Sequence, residues 1–190
     1  MVRTLYLLRH AQTVANVAQV YPQDDTPLTR AGIAQALAAA KYIQKLQVEE
    51  RIDTILVSPL IRARDTALML GVKAITVSDL RDHNLGELTG KPYGTLRSVC
   101  AAAQLAPETY IPEGGESYEQ ARDRVACVHR TIGSGSTLII THTDTMHWLV
   151  ELETGSPCEH GSRFENCALW VIADGIILHK NWTPWLESNE

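Results

Sequence analysis

The sequence predicts an α/β domain: a three-layer α/β/α sandwich with a mostly parallel central sheet, helices on both faces and a lid-like insertion around residues 79–116. Three observations lead there. Apolar, β-rich runs alternate along the chain with stretches of helical periodicity. The runs are continuously apolar, as strands covered on both faces are. The 190 residues, 45% of them hydrophobic, suffice for one core and one domain over 1–190.

The elements follow in order. Residues 5–8 form the first strand. Residues 30–46 read as a helix capped by Thr29, with Ile33, Leu37, Ala40 and Ile43 on its inward face. A second strand covers 54–57. Ser58 and Pro59 then supply an N-cap and a proline at the first helical position, opening a helix to about Leu70. A short third strand covers 74–77. Residues 79–116 are rich in glycine and proline, with a short helix near 94–105; so long an irregular stretch suits a lid or binding loop. Ser117 and Gln120 form a capping box for a helix to about Ile132. The clearest strand is 137–141. A helix over 143–154 follows, closed by Gly155. Strands 168–172 and 176–179 pair antiparallel through a tight Ala-Asp-Gly turn.

Composition excludes several classes. The net charge of −5 is wrong for a protein that neutralises nucleic-acid phosphates or anionic lipid. No apolar run approaches the roughly 20 residues that span a bilayer, and the N-terminal apolar stretch is too short for a signal-peptide core. Cys100, Cys127, Cys158 and Cys167 show no zinc-ligand or redox spacing and read as reduced, mostly buried thiols of a cytoplasmic protein. The expectation is no nucleic-acid partner and no membrane, with a homodimer possible.

In sheets of this kind ligands bind beyond the C-terminal strand ends. Three spots qualify: Arg9-His10 after the first strand, the Ser58 to Arg62 stretch after the second, and His142 after the strongest. Two arginines and two histidines at one sheet edge make a compact cationic pocket in an acidic protein. Arginine forks match phosphate oxygens, and helix N-termini add amide donors.

Six segments in order then carry a family resemblance: LLRHAQTVAN, DDTPLTRAGIAQA, SPLIRARDTA, LRDHNLGELTG, GGES and IITH. Together they resemble the histidine phosphatase superfamily, the phosphoglycerate-mutase-like proteins, in its small phosphatase branch. The resemblance implies that His10 is a nucleophile forming a phosphohistidine. It implies that Arg9, Arg62, His142 and Asn16 hold the phosphoryl oxygens, and that Asp82 is the general acid and base. Thr13, Thr143 and Glu116 are further candidates for substrate binding. No metal or cofactor is implied. The substrate is a small phosphomonoester and the product inorganic phosphate.

Four departures from the family pattern matter. Asp82 stands where glutamate is usual, and is one methylene shorter. Thr143 replaces a glycine, so φ < 0 is expected there. Ala11-Gln12 replaces Gly-Glu, and Tyr21-Pro22 replaces Gln-Gly, which weighs against a mutase. Phosphatase is the leading reading. Phosphoglycerate mutase and a catalytically weak, phosphate-binding regulatory domain are the alternatives. Arg81, His83 and Arg97 are candidate contacts for a second anionic group, each read first as solvent-facing. Arg64 and Asp65 read as surface residues. His83, His129, His147, His160 and His179 read as non-catalytic, and Trp148, Trp170, Trp182 and Trp185 as core or tail packing.

Overall fold

The computed structural model describes residues 3–158 and 163–187. Six strands form one sheet in the order β3-β2-β4-β1-β5-β6. They are β1 (Arg3–Arg9), β2 (Ile52–Val57), β3 (Ile75–Thr76), β4 (Gly135–Thr141), β5 (Leu169–Ala173) and β6 (Ile176–Trp182). The first four run parallel, with β1 beside β4, β4 beside β2 and β2 beside β3. β5 turns back antiparallel to β1, and β6 antiparallel to β5. The expected turn between them holds Asp174 at φ 47° and Gly175 at φ 77°, the left-handed pair a two-residue hairpin needs.

Period-two alternation in β1 sorts the core into two halves. Tyr6 and Leu8 face α2 (Arg30–Glu49) and α3 (Ile61–Leu70). Leu5 and Leu7 face α5 (Tyr118–Thr131) and α6 (Thr143–Thr154). Trp148 and Trp170 lie in the second half, while Trp182 and Trp185 cover Tyr42 of α2 at its edge.

Several expectations need correction. The inward face of α2 is Gly32, Ala36, Ala39, Ile43 and Leu46, whereas Ile33 and Leu37 are exposed. Small residues win because the helix lies tight on the chain after β1: a Cβ at Gly32 would collide with the Gln12 carbonyl. α3 starts later than expected: Ser58 is not its N-cap and Pro59 is not its first helical residue. Its N-cap is Leu60, which makes no side-chain cap bond. The Ser58 hydroxyl instead meets His142. Only Cys100 and Cys167 are buried; Cys127 is exposed and Cys158 half-buried. Two short helices were not expected: α1 (Val14–Ala18), opened by a Thr13/Asn16 capping box, and α7 (Pro184–Glu187). The 79–116 stretch contains α4 (Thr95–Ala103) and single turns at Gly86–Leu88 and Pro107–Thr109.

Candidate active site

The C-terminal ends of β1, β2 and β4 meet at a cavity of about 390 Å³, lined among others by Arg9, His10, Asn16, Arg62, Asp82 and Thr143. His10 extends β1, its backbone N–H bonded to the Thr141 carbonyl at 2.9 Å. Its Nδ1 lies 2.8 Å from the Ala11 carbonyl. A carbonyl only accepts, so Nδ1 carries the proton and Nε2 keeps its lone pair. Burial, and then the neighbouring His142, Arg9 and Arg62, hold the His10 pKa well below the ordinary value. A neutral imidazole with a free Nε2 is the form a nucleophile needs.

His142 is the N-cap of α6 and wholly buried. Its Nε2 lies 2.7 Å from Ser58 Oγ, which also accepts the Leu60 N–H at 3.3 Å. The hydroxyl keeps its hydrogen and a second lone pair, so it can serve Nε2 in either role; the Asp82 carboxylate, its Oδ2 3.7 Å from Nδ1, favours the tautomer with the proton on Nδ1. Burial, then Arg62 and Arg9, depress the His142 pKa strongly as well. The two imidazoles sit 5.2 Å apart, tilted by 53°.

The arginines are held from behind. Arg9 donates to the Phe164 carbonyl at 2.6 Å, and burial lowers its pKa. Arg62, 1% exposed, donates to the Gln23 carbonyl at 3.1 Å and to Asp82 Oδ2 at 2.9 Å. Nε of Arg9, Nε of Arg62 and Nδ1 of His142 are buried without a hydrogen-bond partner among the described residues. Leaving such groups unpaired costs stability, and a cluster of them at one cavity is what an oxyanion ligand would satisfy.

Asp82 is fixed through its own backbone. All five N–H donors of Arg124 are placed: Nε and Nη2 pair with the Glu116 carboxylate, Nη1 reaches the Asp79 and Arg81 carbonyls, and Nη2 also reaches that of Asp82. Thr141 Oγ1 takes the Leu80 carbonyl at 2.8 Å, and Thr145 Oγ1 reaches that of Arg81 at 3.1 Å. Four consecutive carbonyls, 79 to 82, are thus tied to α5, β4 and α6.

The structure brings Arg9, His10, Arg62, Asp82 and His142 together, with Asn16 and Thr143 at the cavity wall. Thr143 is the first residue of α6, and its φ is not positive, as expected. Two candidates lie elsewhere. Thr13 is buried as the cap of α1, its hydroxyl spent on Asn16. Glu116 lies behind the wall, holding Arg124, Arg81 and the Asn84 amide. Burial works against its charge, but those partners keep its pKa below the usual value. Arg81 and His83 line the cavity, whereas Arg97 is exposed on α4. His129 pairs with Glu153, His147 packs on Phe164 and His179 stacks on Trp182. His160 lies outside the described residues.

Sequence reasoning missed three supports. Asn166 donates to the His10 carbonyl at 3.0 Å. Arg124 carried no signal beyond its helix. Asp144, the third residue after β4, also lines the cavity, and desolvation and then Asp82 push its pKa up to about 6.

A sequence model of the histidine phosphatase superfamily (branch 1) matches residues 5–174, and the chain belongs to that superfamily. It is 34% identical over 140 residues to a metal-independent phosphoserine phosphatase of Arabidopsis thaliana, the match covering 65% of this chain and 55% of that one. The chain thus spans little more than half of that relative. It is 30% identical to a probable phosphoglycerate mutase, GpmB, of Yersinia pestis, over 97% of this chain and 88% of the relative. Among solved structures, an open reading frame product of Mycobacterium tuberculosis superposes with a TM-score of 0.79 at 21% identity, covering 95% of this chain and 98% of that one. A mycobacterial glucosyl-3-phosphoglycerate phosphatase in complex with VO3 gives 0.72 at 26% identity, covering 89% and 92%.

Proposed function

We propose that this protein is a metal-independent phosphatase that hydrolyses small phosphomonoesters through a phosphohistidine on His10. The observation that carries the reading is the orientation of His10: Nδ1 is committed to the Ala11 carbonyl, and Nε2 is left free beside Arg9, Arg62 and His142.

The steps follow from the geometry. Arg9, Arg62 and His142 Nδ1 take the phosphoryl oxygens, where charge is spread in the transition state. Nε2 attacks phosphorus as the ester P–O bond breaks. Asp82, next to Arg62 and His142, gives its proton to the leaving oxygen. It then takes a proton from water, whose oxygen attacks phosphorus. The P–N bond breaks, and inorganic phosphate leaves.

The test is a phosphomonoester panel run with excess chelator, beside His10→Ala. Turnover that survives the chelator and vanishes in His10→Ala, with an acid-labile, base-stable phosphoenzyme trapped in the wild type, supports the reading. Activity retained by His10→Ala refutes the nucleophile. The likeness to GpmB favours a second reading, phosphoglycerate isomerisation. It predicts primer-dependent interconversion of phosphoglycerates without phosphate release, read by following isomer composition with and without bisphosphoglycerate.

A further inference from the structure

The cavity is far larger than one phosphoryl group needs, and its outer half differs in kind from its floor. Tyr21, Pro22, Leu60, Leu85 and Tyr93 line it. We propose that this half receives the leaving group as an apolar, ring-bearing alcohol without a second anionic group. The proposal rests on the phosphatase reading and deepens it to a substrate class.

Three observations carry it. The first is a rigid aromatic wall. Tyr21 and Tyr93 meet edge to face, ring centres 5.4 Å apart. Their backbones are tied across two loops: Tyr21 N–H to the Lys91 carbonyl at 2.9 Å, Gly90 N–H to the Tyr21 carbonyl at 2.8 Å, and Tyr93 N–H to the Gln19 carbonyl at 2.7 Å. Asn16 Nδ2 also reaches the Tyr93 hydroxyl at 3.3 Å. Tyr93 nevertheless stays 44% exposed, so a ring face is available for stacking without rearrangement.

The second is Leu60. It is the N-cap of α3, a position that favours a small polar side chain, and it makes no cap bond. It lines the cavity instead. That leaves an apolar side chain on the cavity wall that an apolar ligand would cover.

The third is charge. Arg9 and Arg62 belong to the phosphoryl cage. Arg81, the remaining arginine of the lining, is 3.4 Å from Glu116, which Arg124 also holds, and 3.9 Å from Asp79, so these two guanidiniums and two carboxylates leave no net charge. The outer wall also presents Asp24 and Asp144. With His83 neutral, a carboxylate or second phosphate on the leaving group would meet those acids and no net positive charge beyond the phosphoryl cage. Like-charge placement of this kind selects against anionic groups.

The experiment separates binding from turnover. Calorimetry measures Kd for three non-hydrolysable phosphonates: 2-phenylethylphosphonate, butylphosphonate and 4-phosphonobutanoate. The phenyl compound is expected to bind about tenfold tighter than the butyl one, and the carboxylate to bind weakest. In Tyr93→Ala the phenyl-to-butyl ratio falls toward one, and Tyr93→Phe, which keeps the ring, restores it. A wild-type ratio near one, a ratio unmoved by Tyr93→Ala, or tightest binding of the carboxylate overturns the proposal. Hydrolysis of the matching phosphate esters is read separately. Selective phosphonate binding without turnover refutes the phosphatase reading and leaves the subsite standing.

Discussion

The floor and the mouth of the cavity are built in different ways. On the floor, His10 and His142 directly follow neighbouring parallel strands, and the register Arg9 opposite Thr141 sets them side by side. Strand order alone brings them together. The mouth is assembled from loops far apart in the chain: 19–24 after α1, 79–93 in the insertion, and the start of α6. Side-chain clamps hold one part of it, with Arg124 binding carbonyls 42 to 45 residues away, and a short antiparallel backbone bridge between 19–21 and 90–93 holds another. The floor is rigid wherever the sheet is rigid. The mouth is only as well placed as these ties, and apart from Asp82, which reaches the floor residues Arg62 and His142, it is where selectivity can vary without disturbing the chemistry.

If that division holds, changes on the floor abolish the reaction. The largest effect belongs to His10→Ala, which removes the nucleophile and should lower kcat by about 10⁵-fold or more. Steady-state turnover of a phosphomonoester is the measure. Next is Asp82→Asn, for which general acid and base help is worth about 10²–10⁴-fold. The loss should be greater for alkyl than for aryl esters, because poor leaving groups need the proton most. Equal slowing of both would remove Asp82 from that role.

Arg124→Met tests the clamp. It leaves Glu116 buried without its main partner, and breaking a buried pair costs about 3–5 kcal/mol. Chemical denaturation should show that loss. If the clamp also positions Asp82, kcat for alkyl esters falls more than kcat for aryl esters. A purely structural arginine would lower stability without that split.

The two floor histidines predict a pH dependence of stability. Burial depresses both pKa values, so the folded state releases these protons more readily than the unfolded chain. The unfolded chain takes up protons below about pH 6.5, and the folded chain resists, so stability falls as pH drops below that value. Tm recorded from pH 8 to 5 should decline, and His142→Gln should flatten the decline. A slope unchanged by His142→Gln would mean that the imidazole is not held neutral.

The contrast also explains what was legible in the sequence. Arg9, His10, Arg62 and His142 could be found because each lies at or near a strand end, and the ligand-binding rule for parallel sheets points there. Their support could not. Asn166 and Arg124 act across 156 and 42 residues, and nothing local marks them. Glu116 and Thr13 were placed by position in a motif, but the structure spends one on Arg124 and the other on a cap. Periodicity misplaces the inward face of α2 because it weighs bulk, whereas the close approach of Gly32 to the Gln12 carbonyl selects smallness. A hydroxyl before a helix reads as a cap, whereas the bond between Ser58 and His142 is a tertiary contact that nothing local marks.

The smallest expected effect lies at the mouth, at Asp144. His83 Nε2 is 3.0 Å from the Glu116 carbonyl and must carry a proton there, so His83 Nδ1 is an acceptor while the ring is neutral. That Nδ1 lies 3.9 Å from Asp144 Oδ2. A neutral ring thus offers the carboxylate no donor, whereas a protonated Asp144 could donate to it. Desolvation first and Asp82 second push the Asp144 pKa up to about 6, with His83 pulling the other way. A carboxyl whose folded pKa is raised stabilises the fold below its unfolded value and loses that contribution as pH rises through the folded one. Above pH 6, Asp144 is therefore a burden that Asp144→Asn removes. Its side chain is 47% exposed, and water screens the charge, so the gain should stay below about 1 kcal/mol. The measurable sign is a Tm difference in favour of Asp144→Asn at pH 7.5 that shrinks as pH falls toward 4. A difference that persists at pH 4 would trace to packing rather than to the proton.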